Sequence, residues 1–241
     1  MGIFGKEWNG DPFVLFGPWH LLALGIIFLV NILIVVWGKC ASEKERKILR
    51  WSLAGILIVD EGLWHLWNAT SGQWSLQTTL PLHLCSIFVF LSAYMLVTKS
   101  YKIYEYAYFL GIAGATQALL TPDAGIYGFP HFRAWQVMIS HGTIVTAAVY
   151  MTLVENYRPT WQSLKRVLIG GNIYMVVIFF LNLLIGSNYL FIAHKPATAS
   201  LIDVLPPWPY YIFFIELIGV SVSLLLYIPF QIGDWLKKRA L

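Results

Sequence analysis

The stretch Ile48–Trp67 reads ILRWSLAGILIVDEGLWHLW. It is twenty residues long, and twenty mostly apolar residues are what a helix needs to cross the hydrocarbon of a bilayer. Yet it carries Asp60, Glu61 and His65 near its C-terminal end. A charged side chain at the centre of a span costs roughly 2.5–3.5 kcal/mol on insertion scales, so such groups are paired, protonated or set in a polar site. One segment thus predicts both a membrane fold and a polar centre within it.

The same pattern extends along the chain. Of the 241 residues, 58% are hydrophobic and 12% charged, and the mean hydropathy is +0.67. Six further apolar segments are Leu15–Trp37, Leu80–Val97, Tyr104–Leu120, Ala134–Val154, Val167–Ile185 and Tyr210–Phe230. The expected fold is all-α: a polytopic bundle of seven transmembrane helices forming a single domain over residues 1–241. The first span is long, contains His20 and is followed rather than preceded by basic residues, so it reads as a permanent helix and not a cleaved leader.

Lysine and arginine set the expected orientation. Thirteen of the sixteen fall in the 1–2, 3–4 and 5–6 loops and the C-terminal tail; only Lys6, Arg133 and Lys195 fall on the other side. The positive-inside rule places the N-terminus outside and the C-terminus inside. The inner basic collar suits anionic leaflet lipid and gives no reason to expect nucleic acid. The expected location is a cell membrane, crossed several times.

With that orientation, His20, Asp60, Glu61, His65, His83, Gln117, His141, Asn182 and Glu216 share a layer with Cys85, roughly 5–12 Å below the outer interface. Several readings stay open. Pro81 suits the first turn of a helix and Thr79 its cap, so helix 3 is expected to begin near Leu80. Cys85, close to its positive end, is either a reactive thiol or a small apolar packing group. His83, two residues before it, would point to the other side of a regular helix. His141 is either a general base or a structural hydrogen-bonding group. Glu61 and His65 share a helix face; with Asp60 they suit a proton relay, an orienting pair for an imidazole, a metal site or a polar pin between helices. The seventh segment has neither histidine nor lysine, which argues against the paired-histidine zinc amidohydrolases and against a retinal protein; no metal is expected. The Gly186–Pro209 segment, 24 residues with few charges, reads as an interfacial lid.

Three motifs carry a resemblance. They are Pro81-Leu82-His83-Leu84-Cys85, Ser140-His141-Gly142, and the segment running through Ser187-Asn188-Tyr189, His194-Lys195-Pro196, Ala199-Ser200-Leu201-Ile202-Asp203 and Pro207-Trp208-Pro209. Together they resemble the bacterial YwaF-type integral membrane family, grouped with the animal transmembrane protein 164, a lipid acyltransferase. There is also a distant similarity to membrane fatty-ester hydrolases that use a threonine and a histidine. The resemblance implies acyl transfer between glycerolipids through a cysteine thioester, with Cys85 as nucleophile and His141 as base. Phospholipids and lysophospholipids would be the substrates, and the donor lipid carries the acyl group, so no soluble cofactor is expected. His83, Glu61, His65, Gln117, Asn182, Glu216 and Trp208 are the expected supporting residues. The rival expectations are a proton-coupled transporter or ligand-binding membrane protein, a metal-dependent lipid hydrolase, and a non-catalytic bundle.

Overall fold

The computed structural model describes residues 2–195 and 201–239. Within them the regular structure is helical, with no strand. The helices are α1 (Pro18–Cys40), α2 (Glu43–Thr70), α3 (Leu84–Thr98), α4 (Tyr101–Tyr106), α5 (Ile112–Leu120), α6 (Phe132–Leu153), α7 (Trp161–Ile185) and α8 (Tyr210–Arg239). A π turn, Ala107–Gly111, joins α4 to α5, so the two continue as one rod. Short 3₁₀ turns cover Tyr189–Phe191 and Leu201–Val204. Pro196, Ala199 and Ser200, part of the resemblance and of the expected lid, lie outside the described residues.

Helices α1, α7 and α8 are long and apolar enough to cross a membrane, and α3 is a shorter apolar helix. Several helices overrun their apolar segments. Helix α2 begins five residues before Ile48 because Ser42 and Glu45 form a reciprocal capping box, satisfying backbone donors that would otherwise be unpaired. Thr160 and Ser163 do the same for α7.

Helix α3 departs in the other direction. The expected start near Leu80, with Thr79 as cap and Pro81 in the first turn, does not form. The Thr79 hydroxyl instead accepts from the Ser75 N–H at 3.1 Å. The Leu80 N–H donates to the Tyr189 hydroxyl at 2.9 Å, and the Tyr174 hydroxyl donates to the Leu82 carbonyl at 2.9 Å. With these groups engaged, residues 80–83 stay outside the helix. His83 becomes the N-cap and Cys85 the second helical residue.

Helix α6 is the axis of the molecule. It packs against α1, α2, α3 and α5, and Ile144, Ala147, Tyr150 and Met151 on it are fully buried. Gly142 admits Ile27 of α1 so closely that a β-carbon there would lie 3.1 Å from it. At the basic end, Glu155 receives Arg50 at 2.5 Å and Lys99 at 2.8 Å, tying α2, the end of α3 and the end of α6 together. Glu105 receives Arg166 and the Ser163 hydroxyl, tying α4 to α7. Helices α7 and α8 rest on the α4–π–α5 rod and pack little on one another.

Candidate active site

Between these elements, toward the end opposite the basic cluster, lies a cavity of about 530 Å³. Helices α2, α3, α6, α7 and α8 all contribute to its wall, as does the segment 78–83. Cys85, His83, His141, Glu61 and Glu216 line it together. They come from four separate regions of the chain, His83 and Cys85 sharing one.

Cys85 sits where α3 begins. His83 makes no side-chain cap. The first α3 bond runs from the Ile87 N–H to the His83 carbonyl at 3.1 Å, and among the described residues the N–H groups of Leu84, Cys85 and Ser86 have no acceptor. A helix N-terminus with free N–H groups favours negative charge beside it. Space at the sulfur depends on α5: a β-carbon added to Gly114 would stand 3.6 Å from Cys85 Sγ.

His141 projects from the adjacent helix. Its Nδ1 lies 2.7 Å from the Val137 carbonyl. A carbonyl only accepts, so this bond assigns the proton to Nδ1 and leaves Nε2 with its lone pair. That is the tautomer a general base requires. No hydrogen bond joins His141 to Cys85; the two share the cavity wall. His83 precedes the helix, so the expectation that it faces away from Cys85 does not apply. Its Nδ1 accepts from the Leu190 N–H at 3.3 Å, and its ring packs on Tyr189 and Phe191, 5.1 and 5.0 Å between centroids.

Glu61 is buried and lies 3.5 Å from His65 Nε2, joining the pair expected from their spacing. His65 Nδ1 accepts from the Trp74 indole at 3.1 Å. Asp60 is turned to α6, where it accepts from Gln136 Nε2 at 2.9 Å. Glu216 accepts from Asn172 of α7 at 3.1 Å.

Other members of the expected layer are used elsewhere. Gln117 is exposed, bonds Thr121 at 2.7 Å and does not face the cavity. Asn182 is consumed by the following loop: its oxygen accepts from Ser187 Oγ and the Tyr189 N–H, and its nitrogen donates to the Tyr189 carbonyl. It thereby holds the tyrosine that fixes Leu80. Trp208 is half exposed and donates to the Ile192 carbonyl at 3.0 Å, outside the cavity wall. His20 is fully engaged, bridging the Phe16 N–H and the Leu119 carbonyl. The expected polar layer therefore divides into a chamber and several interhelical pins.

The cavity also holds residues that the sequence did not mark. Arg133, counted above only as a loop charge, is the second residue of α6 and lines the chamber with Gln136, Ser140 and Trp64. Just before it, His131 caps α6. Its Nδ1 accepts from the Arg133 N–H at 3.0 Å, and its Nε2 donates to the Gly5 carbonyl at 3.0 Å. Burial, with the Arg133 charge adding to it, holds the His131 pKa below the usual imidazole value, although the bond to Gly5 opposes this. The signal for Arg133 was present in the spacing: 133, 136–137 and 140–141 mark one face of a helix.

The wall carries Glu61, Arg133 and Gln136 from α2 and α6; Leu110, Val167 and Ile215 from the π turn, α7 and α8 are apolar, with the Asn172–Glu216 hydrogen bond set among them. Among the described residues no three His, Cys, Asp or Glu side chains converge as a metal would need.

Fold and chamber together define an all-helical protein, three of its helices long and apolar enough to cross a membrane, with a cavity lined by both polar and apolar groups. The chain belongs to the TMEM164 family, which its residues 15–227 match. An uncharacterized protein of Treponema pallidum (strain Nichols) is 25% identical to it over 225 residues, 91% of this chain and 90% of that protein. No solved structure matches the chain.

Proposed function

We propose that this protein is a phospholipid acyltransferase working through a thioester on Cys85. The observation that carries the reading is the common cavity: a thiol at an uncapped helix N-terminus and an imidazole with a free Nε2 face one chamber whose walls hold both polar and apolar groups. Such a chamber suits a glycerolipid, with its ester at the boundary and its chains in the apolar part.

In the first half-reaction the Cys85 thiol passes its proton to His141 Nε2, and the sulfur attacks the ester carbonyl carbon. The N–H groups of Leu84, Cys85 and Ser86 are the donors available to the resulting oxyanion. The ester C–O bond breaks, the departing glycerol oxygen takes the proton from His141, and a thioester remains. In the second half-reaction a lysophospholipid hydroxyl gives its proton to His141 and attacks the thioester carbonyl. The C–S bond breaks and the sulfur is reprotonated. Two easier steps replace one hard one. His83, against the 189–191 turn, is placed to contact the substrate near Cys85; Glu61 and Glu216 complete the polar wall.

Seven spans are the topology that accords with this reading, α4–π–α5 counting as one, with all 241 residues in one domain. The N-terminus would lie outside a bacterial plasma membrane, putting the chamber in the outer half, as the distribution of basic residues favours. The gap between α7 and α8 would admit lipid from the bilayer.

Mass spectrometry of the purified protein after incubation with phospholipid tests the mechanism. The expected result is an acyl adduct on Cys85 that hydroxylamine removes, absent from Cys85→Ser. Unimpaired transfer by Cys85→Ala, with no adduct in the parent, would discard it; binding without turnover would point instead to a transporter or ligand-binding protein.

A further inference from the structure

Arg133 differs from the arginines of the basic end. Arg50 and Arg166 are ion-paired to carboxylates. Among the described residues Arg133 forms no ion pair, although it lines the chamber. Its guanidinium lies over the Trp64 ring at 4.2 Å. One terminal nitrogen donates to Gln136 Oε1, and the other donates to the Asp123 carbonyl at 3.1 Å. Gln136 is itself fixed by Asp60. Three acids are nearby and none is ion-paired with it: Asp123, also on the cavity wall, offers its backbone carbonyl, Asp60 acts through Gln136, and Glu61 faces His65. A guanidinium has five N–H donors in a rigid fork. Two contacts and a stacked face orient the fork and leave donors for a ligand.

Position adds to this. Arg133 is at the end of α6 nearest the loops, and His141 lies eight residues deeper, a rise of roughly 12 Å. An amphiphile whose ester reaches the Cys85–His141 level would have its polar group near Arg133. The planar fork matches phosphate oxygens in a way that a lone ammonium does not.

Resting on the acyltransferase reading for the placement of the ester, we infer that Arg133, stacked on Trp64 and aligned by Gln136, is the binding site for the phosphate of the lipid substrate. The protein then selects phosphodiester lipids and discriminates against neutral glycerides of the same chains. Arg133 is a binding residue, distinct from Cys85, which carries the acyl group, and from His141, which moves the proton.

The test uses the full chain in detergent micelles on the Cys85→Ala background, so that binding is read without turnover. Phosphatidylglycerol and diacylglycerol with identical chains compete, and native mass spectrometry reads the bound ratio. The expected preference for the phospholipid is about tenfold or more, the scale of a charge-assisted contact. Arg133→Gln should bring the ratio close to one while diacylglycerol still binds, and Arg133→Lys should recover part of it. A ratio that Arg133→Gln leaves unchanged overturns the inference. So does a ratio near one with Arg133 in place, a result that needs no Arg133 variant to fold. Saturable binding of inorganic phosphate without any phospholipid preference also overturns it, in favour of a free anion. The two readings fail separately: a lost preference with an intact Cys85 thioester removes only the phosphate site, and an intact preference with no thioester removes only the acyl transfer.

Discussion

His141 shows how much one hydrogen bond decides. Were its Nδ1 free, either tautomer would be open to the ring; the Val137 carbonyl fixes the proton there and leaves Nε2 as the base. His141→Gln keeps a polar side chain of similar reach but cannot accept and return a proton. Acylation of Cys85 should slow by about 10²- to 10⁴-fold, with the protein still folded and lipid binding retained. Single-turnover kinetics with a labelled phospholipid would measure the loss. An unchanged rate would transfer the base role to His83, which shares the chamber.

The start of each helix is settled by which groups are left to cap it. His131 performs this service for α6 only as a neutral imidazole, because its Nδ1 must accept from the Arg133 N–H while its Nε2 donates to Gly5. Its pKa is depressed in the folded protein, so the sign is fixed: the contribution is present above the ordinary value of 6.5 and is lost as pH falls below it. The segment around Gly5, which also gives the Phe4 carbonyl to the Trp67 indole at 2.9 Å and the Ile3 carbonyl to the Phe132 N–H at 2.8 Å, should loosen in acid. Hydrogen exchange of residues 3–8 at pH 5 and pH 7.5 would reveal it. His131→Asn, which keeps a capping side chain without a titrating ring, should remove the pH dependence and cost about 1 kcal/mol. Sequence reading located α6 well but misjudged α3. The Thr79–Pro81 signal for a helix start is real locally, and it is overruled by Tyr189 and Tyr174, residues more than ninety positions away.

Across the whole molecule, α7 and α8 pack little on one another, and the Asn172–Glu216 bond joins them at the chamber wall. Gly219 of α8 borders the chamber, and a β-carbon there would meet no atom within 4 Å. Gly219→Trp should therefore be accommodated in the fold and occupy the space a lipid chain needs. Phospholipid binding and acyl transfer should drop together, by tenfold or more, with thermal stability little changed. Transfer at the parent rate would mean that the substrate approaches by another path.

Composition alone determined that this is an all-helical membrane protein, because apolar stretches of bilayer length have few other stable solutions. Spacing within one helix foretold the Glu61–His65 pair, since side chains four apart share a face. The burial of acids and histidines was legible too, but not its meaning. Depth is a one-dimensional coordinate, and residues at one depth face in any direction around the bundle. Only the packing of α6 against α2 and α3 decided that Cys85, His141 and Arg133 share a cavity wall, whereas His20 and Asn182 spend their polar atoms on joining neighbouring segments.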